Sequence, residues 1–98
     1  MKVQFTDSEV HMMQSALDKW GLNAQADQLV EECAELIVAL QKHVKRSPQP
    51  GTLDCVLDEM ADVEMMLAQM RVAFGIEDET FRERIERKFE KLKRYLEE

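Results

Sequence analysis

The chain is 98 residues long, with 13 Lys and Arg against 20 Asp and Glu and a formal net charge of −7. That length fits one domain, read as residues 1–98, and a hydrophobic content of 45% beside 34% charged residues excludes a disordered chain. The acidic balance argues against a nucleic-acid polymer as partner, since phosphate neutralisation needs a basic face, and no apolar run approaches the ~20 residues of a membrane span.

The opening residues, Met1-Lys2-Val3-Gln4-Phe5-Thr6-Asp7, turn polar at once and carry no apolar leader segment, so a cytoplasmic location is expected. Gly21, the Ser47-Pro48-Gln49-Pro50-Gly51 stretch and Gly75 divide the chain into four pieces, and each piece reads as a helix. Thr6-Asp7-Ser8-Glu9 is a capping-box pattern that opens the first helix, and Gly21 is expected to close it in a left-handed conformation. The second helix is expected from about Asn23 to about Val44, with Lys42, Lys45 and Arg46 near its negative end. The third is expected from Thr52 or Leu53 to a stop before Gly75. The fourth is expected from about Glu79 to about Leu96, with Asp78 as its cap.

Along that last helix Phe81, Ile85, Phe89, Leu92 and Leu96 step by three or four, which predicts one stripe packed inward. Its Arg and Lys residues alternate with Glu83, Glu86 and Glu90, the pattern of a solvated face. The expected fold is therefore all-α, a four-helix bundle, completed by oligomerisation into a homodimer or homotetramer. Cys33 and Cys55 lie within apolar helical patterns and are expected as reduced core residues.

Two acid pairs stand out. Helix two carries Glu31-Glu32-Cys33-Ala34-Glu35 and helix three carries Glu59-Met60-Ala61-Asp62. On a wheel of about 100° per residue, Leu29, Cys33, Leu36, Ile37 and Leu40 form the apolar stripe of helix two. Val56, Met60, Val63, Leu67 and Met70 form that of helix three. Glu32 and Glu59 border these stripes, Glu35 and Asp62 follow on the same sides, and Glu31 points to solvent. If the two helices are antiparallel neighbours, the pairs converge, and like charges held that close call for a divalent cation. All-oxygen ligands suit Mg²⁺, with Mn²⁺ as a substitute, or Ca²⁺. Surface acids on amphipathic helices are the simpler alternative for either pair alone. A ferritin-like di-iron site is excluded: Ser8 and Leu40, not Glu, stand three residues before His11 and His43. The sequence has no Gly-rich phosphate loop.

Glu31-Glu32-x-x-Glu35, then 23 residues, then Glu59-x-x-Asp62 resembles the signature of the MazG-like, all-α nucleoside triphosphate pyrophosphohydrolases. Gln28-Leu29-Val30 before the first half and Leu57-Asp58 before the second agree with it, and the resemblance covers about residues 20–93. It implies hydrolysis of (d)NTPs to the monophosphate and pyrophosphate with Mg²⁺, as in house-cleaning of nucleotide pools. Glu32, Glu35, Glu59 and Asp62 match the metal-binding acids, and Glu32 or Glu35 is expected to orient or deprotonate the attacking water. The family's fourth helix supplies basic residues to the phosphates, and Lys88 and Lys91 look like those groups, although Glu86 stands where the family often carries Asn. For the base, Trp20 can stack and Gln25 can read an edge, while Trp20 beside Gly21 also reads as a core anchor at a helix end.

Two further readings stand beside it, the first within the same superfamily and the second of another class. Phosphoribosyl-ATP pyrophosphohydrolases have similar acid pairs but carry Asp-Leu-x-Tyr-His where this chain has Asp62-Val63-Glu64-Met65-Met66. A non-catalytic helical interaction module would leave the acids without a metal.

Overall fold

The computed structural model describes residues 4–98; Met1, Lys2 and Val3, part of the segment read for a leader, lie outside the described residues. Four α-helices follow in chain order: α1 Asp7–Trp20, α2 Leu22–Leu40, α3 Thr52–Ala73 and α4 Asp78–Leu96. A π-helical segment, Gln41–Arg46, extends α2, and no strand occurs among the described residues. None of the helices is long and apolar enough to cross a membrane.

The capping box at Thr6 forms as the sequence predicts. The Thr6 hydroxyl accepts the Glu9 N–H at 3.1 Å, and the Glu9 carboxylate accepts the Thr6 N–H at 2.7 Å. Two donors that the first turn would otherwise leave unpaired are thereby satisfied. Gly21 alone links α1 to α2, so α2 starts at Leu22 rather than at Asn23. The Gly21 N–H donates to the Leu17 carbonyl at 2.9 Å, while its own carbonyl accepts the Gln25 N–H at 3.1 Å, so one residue ends one helix and begins the next. Its φ of 88° is positive as expected, but its ψ of 158° is extended rather than left-handed helical. Only glycine occupies that region without strain.

α2 and α3 form an antiparallel hairpin, and α3 also packs on α1. Thr52 ties the hairpin loop: its hydroxyl donates to the Gln49 carbonyl at 2.9 Å and accepts the Gln49 N–H at 3.1 Å. His43 Nδ1 lies 2.7 Å from the same hydroxyl. With the single hydroxyl proton given to Gln49, the ring nitrogen is the donor, which locks the end of α2 onto the start of α3. The core lies where α3 meets the other two helices, built from Met13, Ala39, Val56, Met66, Ala68 and Met70. The one buried polar side chain among the described residues is Gln69, whose amide nitrogen donates to the Met13 carbonyl at 3.1 Å.

This core is small, and no large side chain in it is completely buried. Several stripe residues stay in solvent: Ile37 on α2, and Met60 and Leu67 on α3. Cys33 is half-buried and Cys55 exposed, so the expectation of two core thiols is corrected. The largest departure is α4. Its backbone approaches no other helix among the described residues, and Phe81, Phe89, Leu92 and Leu96 are exposed while Ile85 is half-buried, so the inward packing expected of its stripe is met at its start and not along its length. Only its first turns touch the bundle, where the Arg71 guanidinium lies 4.4 Å from the Phe81 ring centre. Its N-cap is Glu77, which makes no side-chain cap; Asp78, expected as the cap, is the first helical residue and meets the positive end of the helix dipole. The radius of gyration is 16.0 Å, against about 13 Å for a compact domain of this length.

A Cβ at Gly21 would meet nothing within 4 Å, so substitution there costs backbone strain alone. Gly21→Ala is expected to lower stability by about 1–3 kcal/mol, measured by urea denaturation.

Candidate functional site

The antiparallel hairpin sets Glu32 beside Asp62 and Glu35 beside Glu59, each pair within hydrogen-bonding reach. Carboxylate oxygens of Glu32, Glu59 and Asp62 lie within 4.8 Å of one another. These three side chains are half-buried, and Glu35 stands at the exposed side of the group. Glu32 Oε2 and Glu59 Oε2 are buried without a hydrogen-bond partner. Lone-pair oxygens of like charge in that state are costly, and a divalent cation is the ligand that satisfies several of them at once.

The strain is visible in the proton affinities. Desolvation first, then the negative charges of Glu35 and Glu32, push the Glu59 carboxyl up to about 7 from an ordinary 4.5. Asp62 is raised as well, by desolvation first and then by its hydrogen bond to, and the charge of, Glu32. Gln28 steadies the group from one side: its amide nitrogen donates to Glu32 Oε1 at 2.8 Å.

A cleft flanks the acids at each end. Toward the hairpin loop, a cleft of about 400 Å³ is lined by Glu31, Glu35, Lys42, Thr52, Cys55 and Glu59, among others. Toward α1, a larger cleft of about 720 Å³ is lined by Phe5, Met12, Trp20, Gln25, Met66 and Gln69, among others. Along α2 the order is thus Gln25 and Gln28, then Glu32 and Glu35, then Lys42. Along α3, running the other way, it is Gln69 and Met66, then Asp62 and Glu59, then Thr52.

All four acids picked out in the sequence come together, and Trp20 and Gln25 share the larger cleft. Trp20 is 58% exposed, so it is a cleft wall and not a core anchor, and Lys19 Nζ sits 5.2 Å from its ring centre. Glu31, placed outside by the wheel, is exposed but lines the smaller cleft. Lys88 and Lys91 are not brought to the acids: both are exposed on α4, with Lys91 Nζ 5.7 Å from the Tyr95 ring centre.

Sequence reasoning missed Lys42 and Gln69. Lys42 reads as a cation completing a helix end, and nothing local marks it as a cleft residue. Gln69 did leave a signal, an uncharged amide directly before the stripe residue Met70, but its burial depends on how α1 crosses α3.

Because the folded state holds a proton on Glu59 up to about pH 7 and the unfolded chain releases it near 4.5, the folded state binds more protons across that window. Stability of the metal-free protein is therefore expected to fall as pH rises from about 4.5 to about 7. Urea midpoints across that range check this, and Glu59→Gln is expected to flatten the profile.

Comparison with protein-family models, with curated proteins and with solved structures finds no match to this chain.

Proposed function

We propose that the chain is a Mg²⁺-dependent nucleoside triphosphate pyrophosphohydrolase of the MazG-like type, converting a (d)NTP and water to the (d)NMP and pyrophosphate in nucleotide-pool house-cleaning. One observation carries the reading: along the α2–α3 hairpin an apolar, amide-bearing cleft, a cluster of four carboxylates and a second cleft, whose one cation among Glu31, Glu35 and Glu59 is Lys42, follow in line. That is the order of base, anhydride and terminal phosphates in a nucleotide. Glu32, Glu59 and Asp62 supply three convergent oxygens for the ion, whose two unpartnered buried atoms fit a hard cation. When bound, Mg²⁺ offsets the triphosphate charge and polarises the α–β anhydride.

The chain's own groups do the rest. Glu35, exposed and outside the tightest triad, takes the proton of the water that attacks phosphorus at the α–β linkage, and pyrophosphate leaves. Lys42 faces the phosphates from the smaller cleft and steadies their negative charge. Trp20 offers a face to the base and Gln25 an amide to its edge. Neither the acid cluster nor the clefts involve α4. Lys88 and Lys91 reach a substrate only if assembly brings α4 against an α2–α3 face.

Assembly is part of the proposal. α4 leaves Phe89 62% and Leu96 78% exposed, and Leu57 on α3 is 62% exposed, an apolar surface that a second copy of the chain would cover. Sedimentation velocity is expected to give a dimer or tetramer, and Phe89→Glu to shift it toward monomer.

The activity test is release of pyrophosphate from a panel of canonical and modified (d)NTPs, with Mg²⁺ and with EDTA. Metal-dependent release with a monophosphate product is expected. Glu59→Gln is expected to abolish it while the fold stays intact or gains stability, since one of the repelling charges is removed. Full turnover by that variant, or no release by folded, metal-loaded protein, would overturn the assignment.

A further inference from the structure

A third cleft, of about 700 Å³, opens where the start of α4 faces α1 and the end of α3. Phe5, Val10, Ile76, Phe81 and Ile85 give it apolar walls, and its volume lies within the range of small-molecule sites. Arg71, in the last turn of α3, stands half-buried in this lining. Its guanidinium carbon lies 4.4 Å from the Phe81 ring centre. A ring face steadies the positive charge but offers the five N–H donors no acceptor oxygen. Among the described residues Arg71 makes no ion pair and no side-chain hydrogen bond, although Asp78 and Glu79 line the same cleft. The other cation of the cleft, Arg82, is already paired with Glu86 at 3.4 Å.

We propose that this cleft is a binding site separate from the acid cluster, for a ligand with an apolar body and one carboxylate that pairs with Arg71. The planar fork of a guanidinium matches a carboxylate with two parallel hydrogen bonds, while the apolar walls take the body of the ligand. Asp78 and Glu79 limit the ligand's charge. Arg71 offsets one negative charge, whereas a second would meet two carboxylates with no free cation to oppose them. Such a ligand touches α1, α3 and α4 together, and α4 has no other helix against its backbone among the described residues. Occupancy therefore holds the first turns of α4 to the bundle. The inference does not depend on the nucleotide reading.

The test uses one ring system with four head groups: naphthoate, the neutral naphthalenemethanol, the cation naphthylmethylammonium and the dianion naphthyl phosphate. Each is titrated into the full chain slightly above neutral pH and followed by amide chemical shifts. Naphthoate is expected to shift the amides from Ile76 to Ile85 and to bind about tenfold or more tighter than the alcohol, the cation or the phosphate. It is also expected to slow amide hydrogen exchange in the first turns of α4. Arg71→Met keeps an apolar stem without donors and is expected to bring naphthoate down to the affinity of the alcohol. Arg71→Lys keeps the charge without the fork and is expected to fall between, and it carries the comparison if circular dichroism shows that Arg71→Met does not fold. No binding of naphthoate, equal binding of the four head groups, shifts confined to other parts of the chain, or full naphthoate affinity in a folded Arg71 variant would overturn the site.

Discussion

When α2 and α3 pack antiparallel, apolar burial and charge repulsion act on the same seam. The apolar faces draw the helices together, and the register that satisfies them sets Glu32 opposite Asp62 and Glu35 opposite Glu59. Repulsion between these acids is held in check by the hairpin loop. There Thr52 accepts from His43 and from the Gln49 N–H and donates to the Gln49 carbonyl, so all of its hydroxyl capacity is used in closing the pair. The electrostatic cost shows in Glu59, whose proton is retained far above the usual carboxylate range, and in two buried oxygens without partners. A helix pair selected for stability alone would place Gln or Leu at these positions. Keeping four acids there is what the proposed metal-dependent chemistry explains.

The rest of the chain is arranged around that pair. α1 crosses α3 through Met13 and Gln69, and the one-residue link at Gly21 forces Trp20 to the rim of the resulting cleft instead of into a core. The same economy leaves little interior. A chain this short, with its last helix standing off the other three, buries only a few side chains well, and its radius of gyration reflects that. The amphipathic stripe of α4 is intact in sequence but lacks a surface to cover it within the chain. The proposed assembly supplies one.

Much of this was legible from residues alone, because it depends on local rules. The capping box at Thr6 and Glu9 is a contact across three positions. The break at Gly21 follows from what glycine alone tolerates, and the 3.6-residue period marks both acid pairs as stripe-border positions. Their convergence needed one added assumption, that consecutive helices joined by a short loop are antiparallel neighbours, and the structure meets it. The assumption failed for α4, since periodicity says that a face is apolar but not what covers it. Periodicity likewise fell short at Met60 and Leu67, which lie on the apolar stripe of α3, and at Cys55 within its apolar pattern, all of which remain exposed.

The sequence by itself determined the four helices, most of their ends and the four carboxylates, since each is set by neighbours within a turn or two of chain. Only the tertiary structure decided that Gln69 is buried with an unpaired oxygen, that Lys42 faces a cleft beside the acids, and that Lys88 and Lys91 stand apart from them. Those outcomes depend on where one helix crosses another. Crossing position is fixed by packing between residues as far apart as Met13 and Gln69, which no local pattern encodes.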